Sequence, residues 1–111
     1  MGEPGQPMLP HRFHILTALA ARDLHGSGIV RDVLDQTVGA VRLWPATLYG
    51  TLDDLQADDL IRELVDAERP EGVSHKRRYY RITPMGRGAL IREAERLQAV
   101  AGEAIERLGR A

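Results

Sequence analysis

The chain has 111 residues, 43% of them hydrophobic and 28% charged, which fits one compact domain with a single core. It has no cysteine, so disulfide frameworks, thiol nucleophiles and thiolate metal sites are excluded together. Fifteen Lys+Arg against 16 Asp+Glu give a net charge of −1, which excludes a uniformly basic nucleic-acid coat but leaves room for a local basic patch. No apolar run reaches the ~20 residues of a membrane span, and MGEPGQPMLP lacks the charged and apolar segments of a secretory signal. A cytoplasmic protein with no membrane partner is the expectation.

Residues 1–8 are Gly/Pro-rich without periodicity and are expected to form a flexible arm. Leu9, Phe13, Leu16 and Ala20 then follow helical spacing, and the helix ends before the glycine-containing turn Leu24-His25-Gly26-Ser27-Gly28. A second helix with Ile29, Val30, Val33, Leu34 and Thr37 inward runs to Gly39. Trp44-Pro45 opens a third, with proline suited to the first turn. Its buried stripe is Leu48, Leu52 and Leu55, and its opposite face carries Ala46, Gly50, Asp53 and Ala57, with Thr47, Tyr49 and Thr51 on the flanks. Solvated helix faces normally carry long polar side chains. Small ones let a bulky partner reach the backbone.

Leu60–Val65 reads as a strand, 69–74 as a Pro/Gly loop, and Arg78–Ile82 as a second strand. On that strand Tyr80 and Ile82 share one face, and Arg77, Tyr79 and Arg81 the other. Thr83-Pro84 starts the last helix as N-cap and first residue. Leu90, Ala94, Leu97, Ala101, Ala104 and Leu108 recur at intervals of 4, 3, 4, 3 and 4, a coiled-coil seam that a body this small cannot cover. The order predicts a mainly α fold with a small β-hairpin, a winged helix-turn-helix over 9–83 followed by a dimerisation helix over 84–111. Phe13 and Leu16 are expected to join the seam at a homodimer interface.

The chemistry is concentrated in two places. Lys76, Arg77, Arg78 and Arg81 follow His75 in the hairpin, where such a run can neutralise phosphates and release counterions. Lys76, Arg77 and Arg81 are expected to be sequence-independent phosphate contacts, and Arg78 to pair with an acid of the body. The start of the third helix is the candidate reading element: Ala46 and Gly50 allow close approach, Thr47, Thr51 and Tyr49 offer donors, and Arg42 lies just ahead. Asp53, Asp54, Asp58 and Asp59 argue against deep insertion of its C-terminal half. Trp44 reads as a packing residue, with stacking on a planar ligand as the alternative. His11, His14 and His25 lack acidic neighbours at ligand spacing, so no metal is implied. No nucleophile with a base, phosphate-binding glycine loop or carboxylate pair is present, so neither a cofactor nor an enzyme is expected.

Three segments together resemble the PadR-like transcriptional regulators: Leu24-His25-Gly26-Ser27-Gly28-Ile29, Thr47-Leu48-Tyr49, and Arg78-Tyr79-Tyr80-Arg81-Ile82-Thr83-Pro84-Met85-Gly86. Each is weak alone; in this order and at these separations, over about residues 13–108, they are specific. Ser27 stands where the family usually has an aromatic, and Gly50 where a proline often follows the tyrosine. The single C-terminal helix is similar to that of the small subgroup. The resemblance implies a homodimeric repressor that binds double-stranded DNA at a palindromic promoter operator, and it admits release by a small planar effector. Two other readings stay open: a winged-helix dimer that binds protein, and an architectural DNA-binding protein of the same fold.

Overall fold

A computed structural model describes residues 7–73 and 76–109. Most of the expected arm, His75 of the basic run and the last two residues lie outside the described residues.

Helix α1 (Pro10–Ala21) begins at a proline and buries Ile15, Leu16, Ala18 and Leu19. This replaces the expected Leu9–Phe13–Leu16–Ala20 stripe; Leu9 precedes the helix and is 69% exposed. Because α1 is packed on by helices from both sides and by the sheet, its neighbours rather than one row of side chains set its buried arc. Leu16 is fully buried in the core of the single chain, so it is not available to a partner. That corrects its expected place at a dimer interface. Phe13 is half-buried.

The segment expected to be only a turn contains a strand, β1 (Leu24–His25). Strand β2 (Ile61–Glu63) and strand β3 (Tyr79–Ile82) form the expected hairpin, and β1 adds to its other edge in the order β1-β3-β2, all antiparallel. Leu24 faces Tyr80 and His25 faces Tyr79, while Ile61, Arg62 and Glu63 face Ile82, Arg81 and Tyr80. With β3 in the centre, the expected alternation fails at Tyr79. Both tyrosines are buried, at 7% and 1% exposure, because the Tyr79 ring packs edge-to-face on His25 at 5.2 Å.

Helix α2 (Gly26–Gln36) follows β1 directly and buries Ile29 and Val33. The chain leaves it through Val38 and Gly39, both left-handed with φ of 52° and 81°. Helix α3 (Pro45–Ala57) buries Leu48, Leu52 and Leu55, as its periodicity predicts. These leucines meet Ile15, Leu19, Ile29, Ile61, Tyr80 and Ile82 in one core. A short 3-10 turn, Asp66–Glu68, follows β2.

Helix α4 (Pro84–Leu108) has the predicted start: the Thr83 hydroxyl accepts from the Gly86 N–H at 3.0 Å. That hydroxyl also donates to the Asp59 carbonyl at 2.6 Å, and the Thr83 N–H donates to the Leu60 carbonyl at 3.0 Å. Gly86 therefore lies against the end of α3, where an added Cβ would run into the Leu60 carbonyl oxygen and the Ile82 side chain. The first half of α4 packs on α1, with Leu90 against the core and the carboxylate of buried Glu93 bonded to Arg96 at 2.6 and 2.9 Å. From Leu97 onward every described side chain is exposed. The overhang explains extents of 53 × 30 × 24 Å and a radius of gyration of 15.6 Å, against about 13 Å for a compact chain of this length.

Gly86→Ala isolates the close approach. Alanine should gain up to about 1 kcal/mol in helix propensity, yet the collision with backbone should cost more, a net loss of about 1–3 kcal/mol of stability by urea denaturation. Unchanged stability would show that α4 can shift away from α3 freely.

Candidate nucleic-acid interface

The start of α3 is as open as its composition predicts. Ala46, Thr47, Tyr49 and Gly50 are exposed and Thr51 half-buried, its hydroxyl donating to the Thr47 carbonyl at 2.7 Å. A Cβ added at Gly50 would meet nothing within 4 Å. Tyr49 reaches toward α2, where its hydroxyl comes so close to Gly26 that a Cβ there would lie 2.8 Å from it. A side chain at Gly26 would therefore have to displace the Tyr49 hydroxyl.

Around this contact the chain forms a cleft of about 150 Å³, lined by His25, Gly26, Ser27, Tyr49, Lys76, Arg77 and Arg78. The N-terminus of α2 opens onto it, adding the partial positive charge of unsatisfied amides. His25 holds the cleft together. Its ring caps α2, with Nδ1 3.4 Å from the Gly28 N–H, and its Nε2 lies 3.1 Å from an Arg77 guanidinium nitrogen. A neutral imidazole has one lone pair, so these two donors compete for it, and the shorter charge-assisted contact is the stronger. Burial first, then the charges of Arg77 and Arg31, push the His25 pKa below its ordinary value. The ring is therefore neutral at physiological pH and adds no charge to repel Arg77.

The arginines of the hairpin divide by what they touch. Arg81, expected to face phosphates, is held by acids of the chain: its guanidinium makes a two-point contact with Asp23 at 2.8 and 3.1 Å and reaches Glu68 at 3.4 Å. Arg62 clasps Glu68 with bonds of 2.7 and 2.8 Å, and the Val65 N–H adds a third donor to that carboxylate. The Arg62 bonds first, then the Val65 N–H, hold the Glu68 pKa down to about 2. Arg78 bonds Glu63 at 2.9 and 3.1 Å and lies over the Tyr80 ring, matching its expected pairing with an acid. Lys76 and Arg77 remain exposed at the tip, Arg77 against a neutral imidazole. The acids of α3 are partly dealt with as well, since Asp58 is paired with Arg12 of α1.

Trp44 does not pack in the core. It is 61% exposed at the N-cap of α3, with the Arg42 guanidinium 4.8 Å from its ring centroid. His25 and Ser27 were not singled out as interface residues by spacing, although a glycine turn running into a helix is the signal of a capped N-terminus facing outward. Among the described residues no group of His, Cys, Asp or Glu is placed to hold a metal, and no helix is long and apolar enough to cross a membrane.

Known proteins resemble this chain in sequence or in fold. The transcriptional regulator Rv3488 of Mycobacterium tuberculosis is 36% identical over 85% of this chain and 81% of its own length. A PadR-like transcriptional regulator of Bacillus cereus superposes with a TM-score of 0.73 at 19% identity, covering 88% of this chain and 90% of that one. Bacillus subtilis PadR, whose structure was solved in complex with operator DNA, superposes with a TM-score of 0.59 at 19% identity over 72% of this chain and 44% of that one. The Transcriptional regulator PadR-like family matches residues 15–92, which include α2, α3, the whole sheet and the glycine-dependent start of α4. The chain belongs to this PadR-like family of transcriptional regulators and is not an enzyme.

Proposed function

We propose that this regulator is a cytoplasmic homodimeric repressor that binds an inverted-repeat operator in double-stranded DNA. The observation that carries the reading is convergence: the small exposed face of α3, the N-terminus of α2 and the Lys76–Arg77 tip border one cationic cleft. In this reading Ala46, Thr47, Tyr49, Gly50 and Thr51 lie at the major groove, with Arg42, Lys76 and Arg77 on phosphates. Arg81 orients the wing through Asp23 and Glu68 instead of touching DNA. Two copies would place their α3 helices about one helical turn, ~34–36 Å, apart or a multiple of it. The α4 seam, exposed at Leu97, Ala101, Ala104 and Leu108, supplies the dimer contact, with Ala94 and Leu90 continuing it into the body. A planar effector would seat between the copies, where those stripes offer an apolar wall.

One observation favours a second reading, docking on protein: Arg62, Arg78 and Arg81 are already neutralised by carboxylates. Salt titration separates the two. For DNA, log affinity falls with log salt by about 0.9 per neutralised phosphate. Sites mapped to promoters rather than spread along the chromosome would separate a repressor from an architectural protein.

Replacing Lys76 and Arg77 with alanine should weaken cognate and random duplexes about equally and reduce the salt slope by about one unit each. Loss of cognate preference with random binding intact would instead make the tip a base reader. Leu97→Asp, at an exposed position of the seam, should leave the fold intact by circular dichroism and give monomer by light scattering. A wild-type chain that is already monomeric at micromolar concentration would remove the dimer. Gly50→Glu enters open space and gains helix propensity, so the variant should fold and dimerise normally. Its carboxylate would face phosphates at short range, and DNA affinity should fall more than about tenfold. Normal DNA binding by this variant would place the DNA-contacting surface elsewhere than the outer face of α3.

A further inference from the structure

Trp44 and Arg42 make a contact that the cleft does not involve. Trp44 is the chain's single tryptophan, yet it is 61% exposed at the N-cap of α3. The Arg42 guanidinium carbon lies over its ring, 4.8 Å from the centroid, and Arg42 has no carboxylate partner among the described residues. The other arginines near the wing hold acids or lie against His25. An exposed arginine ordinarily loses much side-chain freedom when it fixes on a phosphate. A guanidinium held over an indole ring has lost part of that freedom while keeping its N–H donors.

The placement on α3 gives the stack a partner. Helical spacing puts Thr47 and Thr51, at i+3 and i+7 from Trp44, on one flank of the helix. Tyr49 stands on the other flank, against Gly26 and the cleft. A helix in the major groove has a sugar-phosphate wall on each side. The Tyr49 flank, with α2 and the wing tip, accounts for one wall. Resting on the reading of α3 as the groove helix, we propose that Trp44 and Arg42 are a preformed anchor for a phosphodiester on the other wall. Arg42 makes the contact, and Trp44 is a positioning residue.

The single indole makes the test direct. Binding of a labelled random-sequence duplex is followed by anisotropy at several salt concentrations, and acrylamide quenching of Trp44 emission is measured with and without that duplex. Quenching should fall when the duplex is added. Arg42→Ala should weaken binding on the order of threefold to tenfold and lower the salt slope by about 0.9. Trp44→Ala should lose about threefold, and Trp44→Phe, which keeps a ring under the guanidinium, should restore most of it. Circular dichroism should be unchanged for all three variants. If the wild-type chain binds the duplex but Arg42→Ala keeps its affinity and slope, the anchor is overturned and the groove reading of α3 stands, whether or not Trp44 is shielded. If the wild-type chain binds no duplex even at low salt, the DNA reading fails and the anchor with it.

Discussion

Strand β3 is hydrogen-bonded along both edges, and the position of every functional element depends on that double pairing. On one edge, Leu24 and His25 are held opposite Tyr80 and Tyr79, which fixes where α2 begins and which way its first amides face. On the other, Ile61 to Glu63 are held opposite Ile82 to Tyr80, which returns the chain from the end of α3. Tyr80, at the centre and 1% exposed, buries its ring among residues of α1, α2 and α3. Aromatic burial of this size is worth a few kcal/mol, and here it keeps α2, α3 and the hairpin in one frame.

Charge distribution follows from the same frame. The net charge is near zero, and the fold places acids beside the arginines along the sheet. Asp23 leads into β1, Glu63 ends β2 and Glu68 ends the 3-10 turn, and each accepts from an arginine of the sheet strands or of the segment just before β3. Exposed ion pairs of this kind contribute little to stability. Their effect is orientation: they hold the base of the hairpin in place, with Lys76 and Arg77 exposed at its tip. A protein with little overall charge can therefore present a cationic surface on one side.

The junction between α3 and α4 sets the reach of the molecule. Thr83 caps α4 while binding Asp59 and Leu60, and Gly86 lets the helix backbone lie directly against that turn. The axis of α4 is thereby fixed relative to α3, so any pairing through its exposed second half would also fix the separation of two α3 helices. Leu97, Val100, Ile105 and Leu108 are large apolar side chains exposed along that half, a surface of the kind that a second copy would cover.

Elements whose signal is local were legible in the amino-acid order. The α3 stripe Leu48–Leu52–Leu55, the Thr83-Pro84 cap and the helix that follows it depend on periodicity and on one or two residues acting through their own backbone, and each stands where spacing put it. The residues that carry the family resemblance were visible too, since glycines and tyrosines at fixed separations are local marks. What depends on partners distant in the chain was not legible. Strand β1 has two residues, too few for alternation, and exists because β3 offers an edge some 50 residues later. Leu16 read as interface but belongs to the core, because helical spacing defines a face without saying what covers it. Arg81 and Arg77 look alike in sequence, and only the fold decides that one meets two carboxylates and the other a neutral imidazole. Trp44 read as a packing residue and proved exposed, because the neighbours that would bury a side chain are chosen by tertiary contacts and not by its own apolarity.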